Sequence, residues 1–243
     1  MPETTPALLA EQIVAQLRAQ ANPDNVAGMA RFGISATNTL GVSVPVMRAM
    51  AKDARKALGR DKPAYHELAR LLWATAIHDA RLTATFVDVP ALVDGAQAEA
   101  WAADLDSWDT CDQLCINVLR ESPVGWAKAV EWPGRDEEFV KRAGFALGAT
   151  LAVHDKRRDD HDFLPLVALA EREACDERNF VKKAVNWQLR QIGKRSAFLN
   201  AEVTAACERI LEASPSSKAA RWTARDALRE LRSEAVRERL GIG

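Results

Sequence analysis

Phe139-Val140-Lys141-Arg142-Ala143 returns 41 residues later as Phe180-Val181-Lys182-Lys183-Ala184, and a fainter Arg221-Trp222-Thr223-Ala224 follows about forty further on. Asp136, Asp176 and Ser216 stand 40 residues apart, each placed to cap the helix that follows. A period of this length, with two helices per unit, falls in the HEAT and armadillo range. A unit of that kind cannot bury its apolar face alone, so the units must stack into a solenoid whose concave surface is lined by one helix of each pair. The repeat is visible only in the second half of the chain, and a helical bundle is the competing architecture.

Periodicity elsewhere agrees with helices. Apolar residues recur at three and four spacings in PALLAEQIVAQLRAQ, VPVMRAMAKDARKAL, YHELARLLWATAI, FLPLVALAEREA, VTAACERILEA and ARDALRELRSEA. Ser43 before Pro45 and Asp61 before Pro63 mark helix starts, and Gly41, Gly59 and Gly193 separate periodic stretches. Eleven or twelve helices joined by short turns account for the 243 residues, in one all-α domain spanning 1–243.

Composition narrows the function. Forty-eight percent hydrophobic and 28% charged residues suffice for a sizeable core. The least polar stretch, Ala143 to Val153, is about half the ~20 residues of a membrane helix, so no membrane partner is expected. MPETTPALLAEQ has an early Glu and no basic run, so no secretory signal is expected and the chain is expected in the cytoplasm. Its cysteines should then be reduced. The net charge of −1 hides an asymmetry: Val181 to Gly243 carries 13 Lys+Arg against 7 Asp+Glu, the remainder 20 against 27. A basic C-terminal quarter suits an anionic partner, although exposed helix faces produce the same count.

Three stretches could carry chemistry. Ser107–Cys115, SWDTCDQLC, holds a Trp, two carboxylates and two thiols. With Asp106 or Ser107 as cap, Trp108 starts a helix and Asp112 lies one turn above it, while Cys111, Leu114 and Cys115 look inward. Four-residue spacing of the thiols is wrong for zinc ribbons and redox pairs, so they read as small buried hydrophobes. In Phe180–Arg195, Lys183, Trp187, Arg190 and Lys194 fall at i, i+4, i+7 and i+11, either a solvated face or a track for a polyanion. Arg142, in the preceding repeat, is either a surface residue or a phosphate fork. The run from His154 to Asp162 reads as a solvated turn that fixes no metal ligand set.

Together these pieces resemble the DNA alkylation repair enzyme family, the AlkD-type HEAT-like-repeat DNA glycosylases. The matching segments are FGISATNTLGVSVPVMRAMAK at 32–52, LLWATAIHDARLTA at 71–84, DSWDTCDQL at 106–114, EEFVKRAGFALGATL at 137–151 and RNFVKKAVNWQLRQIGKR at 178–195. The resemblance implies a concave groove for duplex DNA and hydrolysis of the N-glycosidic bond of N3- or N7-alkylated purines. It implies Asp112 as the catalytic carboxylate, Trp108 and Trp187 as the aromatic pair at the lesion's deoxyribose, and Arg142 as a backbone contact. Lys183, Arg190 and Lys194 are expected to add phosphate contacts. An alkylated purine is already cationic and departs without protonation, so a carboxylate need only stabilise the developing sugar cation and orient water. Indole faces favour cationic character beside them. No cofactor or metal is expected, and a monomer is expected. Two other readings stay open: a HEAT-repeat protein that binds damaged or branched DNA without excision, and a protein–protein scaffold.

Overall fold

The computed structural model describes residues 4–242. Among them are fourteen α-helices and four single-turn 3-10 helices, and no strand. The first seven helices are α1 (Pro6–Ala19), α2 (Pro23–Ala30), α3 (Val44–Ala57), α4 (Lys62–Ala74), α5 (His78–Val87), α6 (Gly95–Ala103) and α7 (Trp108–Asn117). The remainder are α8 (Gly125–Glu131), α9 (Glu138–His154), α10 (Leu164–Arg172), α11 (Asn179–Gly193), α12 (Ala197–Ala213), α13 (Lys218–Leu231) and α14 (Glu234–Leu240). The excess over the eleven or twelve expected helices comes from short ones such as α8 and α14, seven residues each, too brief to display a period.

Two compact units divide the chain at Val124/Gly125. In the second unit alternate helices form two rows. α9 packs on α11 and α11 on α13; α8 packs on α10 and α10 on α12. This is the stacked-pair arrangement that the forty-residue period requires. The repeated FVKRA and FVKKA pieces open α9 and α11, and their phenylalanines meet across the repeat, with the Phe139 and Phe180 rings 5.6 Å apart. Every residue of α9 from Val140 to Ala152 is buried, because α8 covers one side and α11 another. Two glycines permit that approach. A Cβ on Gly144 would sit 2.4 Å from Pro133 Cδ, and one on Gly148 would sit 2.0 Å from Gln188 Oε1.

The caps differ from expectation by a residue or two. Glu137, Arg178 and Ser217, not Asp136, Asp176 and Ser216, hold the N-cap positions of α9, α11 and α13. Asp176 instead closes the turn before α11, accepting from the backbone N–H of Arg178 at 3.0 Å. Arg178 in turn reaches back one repeat, its Nη1 donating to the Asp136 carbonyl at 2.5 Å. The run from His154 to Asp162 is likewise more than a solvated turn. Arg195 at the end of α11 donates to the carbonyls of Ala152, Asp155 and Arg158 and to the Asp160 carboxylate, fastening this loop to the next repeat.

In the first unit, α3, α5 and α7 pack in sequence, and α4 packs against both α1 and α5. The Leu68, Ala69, Leu72 and Trp73 stripe of α4 is buried, each large side chain contributing roughly 1.5–3 kcal/mol. Trp73 stacks on Trp101 of α6, ring centroids 4.1 Å apart, which holds α6 on this layer. The irregular segment between α2 and α3 is tied to α5 by Asp79, whose carboxylate accepts from the backbone N–H groups of Leu40 and Val42, both at 2.7 Å. Gly41, with φ of 75°, takes the left-handed conformation there, and a side chain would strike the Asn22 carbonyl.

Candidate functional site

α7 begins at Trp108 with Ser107 as its N-cap residue. The serine hydroxyl does not cap the helix; it donates to Asp109 Oδ1 at 2.9 Å. Asp109 closes the helix start itself by accepting from the Thr110 N–H at 2.9 Å, where the helix dipole also favours a negative charge. Its other oxygen, Oδ2, lies 2.9 Å from Nε2 of His78, a side chain 3% exposed on α5. Burial alone would push the His78 pKa down, but the hydrogen bond and charge of Asp109 outweigh it and raise the imidazole above its ordinary value. Burial would likewise raise Asp109, and the same partnership with His78, joined by Ser107 and Thr110, lowers it. Both shifts describe one ion pair anchoring the first turn of α7.

That anchoring aims the two residues of interest. Cys111, Leu114 and Cys115 are wholly buried, as expected, while Trp108 and Asp112, one turn apart on α7, are both half-buried. The Trp108 indole N–H donates to the Phe32 carbonyl at 3.1 Å, fixing the ring against the segment between α2 and α3. Phe32 itself is 73% exposed. A cation joins them from the neighbouring helix. The exposed Arg48 of α3 lies over the Phe86 ring, 4.1 Å from its centroid, and points Nη2 toward Gln113 Oε1 beside Asp112 at 3.4 Å.

The other five expected residues lie in the second unit. Arg142 is buried, 6% exposed, and its Nη1 donates to the Phe180 carbonyl at 2.8 Å, a position inside the repeat interface where the sequence offered a surface residue or a phosphate fork. One repeat on, at the matching position, Lys183 is exposed and forms no ion pair among the described residues. Trp187 is half-buried on the same helix. Arg190 and Lys194 complete the expected stripe, but both are held by Glu230 of α13: Arg190 Nη1 at 2.6 Å, and Lys194 through Nζ. Burial pushes the Glu230 carboxyl up, and the two cations more than reverse this, keeping it below its ordinary value.

Three functional candidates were therefore missed in sequence: His78, Arg48 and Glu230. Glu230 stands one repeat, 40 residues, after Arg190, so the period itself carried a signal for that pair. His78 and Arg48 carry none, because only the packing of α3 on α5 and of α5 on α7 brings them to the site. Among the described residues no group of three or more His, Cys, Asp or Glu side chains could hold a metal ion. No helix among them is long and apolar enough to cross a membrane.

Among the described residues the chain is all helical, and helices stacked in two rows at a forty-residue period define a HEAT-like-repeat protein. The family model described as DNA alkylation repair enzyme matches residues 13–231, and the chain belongs to that family. A solved structure is similar over 95% of each chain, with a TM-score of 0.69 and 18% identity. It is described as representing a new family of proteins related to the HEAT-like repeat DNA glycosylases with affinity for branched DNA structures. At that identity the likeness is one of fold. No curated protein matches the chain.

Proposed function

We propose that the chain is a DNA glycosylase that hydrolyses the N-glycosidic bond of N3- and N7-alkylated purines in duplex DNA. The observation that carries this reading is the placement of Trp108 and Asp112 one turn apart on α7, both half-buried, on a helix whose first turn is anchored by the His78–Asp109 pair. A carboxylate held in place before the reaction stabilises charge developing on the sugar without reorganising during the step. The C1′–N bond breaks with its electron pair leaving on the purine. That neutralises the purine's positive charge while the sugar becomes oxocarbenium-like. Asp112 opposes that charge and orients the water that adds to C1′, accepting its proton. Trp108 supplies an indole face beside the cation. The resemblance gives Trp187 the second aromatic role, and the stripe of Lys183, Arg190 and Lys194 read from helix spacing would supply the phosphate contacts.

A second reading has its own support. The locking of Arg190 and Lys194 on Glu230 leaves fewer cations for phosphates, and the structurally similar protein is described by its affinity for branched DNA. In this reading the chain binds branched DNA without excision. The deciding experiment incubates the protein with methylated duplex DNA and measures free 7-methylguanine and 3-methyladenine. Release of either supports the glycosylase; salt-sensitive binding with no release supports the binding protein.

A further inference from the structure

α13 presents a second cationic surface that plays no part in the reading above. Ala219, Ala220, Thr223, Ala224, Ala227 and Leu228 bury one face of this helix. The other face carries Lys218, Arg221, Trp222, Arg225 and Arg229 around an open cleft of about 580 Å³. Asp226 is the one carboxylate lining it, and it is already paired with Arg229. Lys218, Arg221 and Arg225 form no ion pair among the described residues, in contrast to Arg190 and Lys194 on the neighbouring helix. Trp222 is 41% exposed, the largest side chain on this face, and Lys182 of α11 brings its Nζ to 5.8 Å from the ring centroid. Within the fold the exposed indole has this cation beside it, and the rest of its face is open to a ligand.

We infer that this cleft is a binding site for an unpaired nucleotide segment, with Trp222 stacking on a base and Arg221, Arg225 and Lys218 holding the flanking phosphates. The chemistry selects single strands. In a duplex the base faces are covered by their neighbours, whereas an unpaired base offers a free face to an indole. The volume lies in the range of small-ligand clefts and suits one nucleotide. The inference rests on the DNA-binding reading and deepens it, because such a site would hold a displaced strand or the unpaired bases at a branch point.

The test compares a short fluorescein-labelled deoxythymidine oligomer with a blunt duplex, by anisotropy, in the full-length protein. Trp222→Ala is expected to weaken oligomer binding on the order of tenfold, the scale of one base–aromatic stack. Trp222→Phe is expected to restore most of it, and duplex binding by both variants should match wild type. Arg221→Gln with Arg225→Gln should flatten the salt dependence of oligomer binding by roughly 0.7 for each lost phosphate contact. Equal losses on oligomer and duplex, unchanged oligomer binding by Trp222→Ala, or displacement of the oligomer by polyglutamate as effectively as by unlabelled oligomer would each overturn the single-strand site. The duplex arm separates the two proposals. Wild type that binds the oligomer through Trp222 but ignores duplex refutes the duplex reading alone, and wild type that binds duplex with Trp222 irrelevant refutes the cleft alone.

Discussion

His78 Nε2 lies 2.9 Å from Asp109 Oδ2, an ion pair between α5 and the first turn of α7, the turn that also carries Trp108. Asp109 and Asp112 are three residues apart, yet the first is bound into the helix start while the second stands half-buried one turn after Trp108. Removing the first should cost stability; removing the second should cost chemistry.

Asp109→Asn is expected to destabilise the fold by about 1.5–3 kcal/mol, the range for hydrogen bonds to a charged partner. The loss should depend on pH. His78 is raised above 6.5 in the fold, so its contribution is full below 6.5 and fades as pH rises through the folded value. Asp109 is lowered below 3.8, so its contribution is full above 3.8 and fades as pH falls through the folded value. The stability gap between wild type and variant should therefore be widest between those two ordinary values. Urea unfolding across pH measures it, and a flat gap would argue that the pair is neutral.

Asp112→Asn keeps the shape and removes the charge. Single-turnover release of 7-methylguanine should slow by roughly 10²–10³, the usual loss for one electrostatic element of a transition state. Duplex binding should persist or tighten, since a carboxylate repels a phosphate-rich ligand. A variant as fast as wild type would remove Asp112 from the mechanism.

Glu230→Gln should release Arg190 and Lys194 from their shared partner. Duplex affinity at low salt should rise, and the slope of log affinity against log salt should steepen by up to roughly 0.9 for each cation that reaches a phosphate. Lys183→Ala, on the same helix, should shift the slope the other way by a similar amount. If Glu230→Gln loses affinity, the ion pairs serve to position the two cations rather than to withhold them.

Arg142→Ala should first be a folding defect. Loss of the buried bond to the Phe180 carbonyl predicts about 1.5–3 kcal/mol. For a chain of this size that lowers Tm by roughly 2–4 °C per kcal/mol. A variant with unchanged Tm but a salt slope reduced by about 0.9 would instead make Arg142 a phosphate contact.

Much of the architecture was legible along the chain, because local patterns encode local structure. The three-four spacing of α1, α3 and α13 and the recurrence of FVKRA at the starts of α9 and α11 determine helices and their stacking period. The burial of the two thiols at four-residue spacing, Cys111 and Cys115, with Leu114 beside them also follows from helical geometry, since a single helix sets which residues share a face. What tertiary structure decided is which polar groups are spent on partners. Arg142 and Lys183 occupy the same position of successive repeats, but packing against α11 buries the first, while the second stays exposed. Arg190 and Lys194 resemble free cations in sequence until α13 brings Glu230 against both. A carboxylate's charge reads the same anywhere in the chain. Only its three-dimensional neighbours determine whether it anchors a helix, as Asp109 does through His78, because those neighbours come from helices tens of residues away.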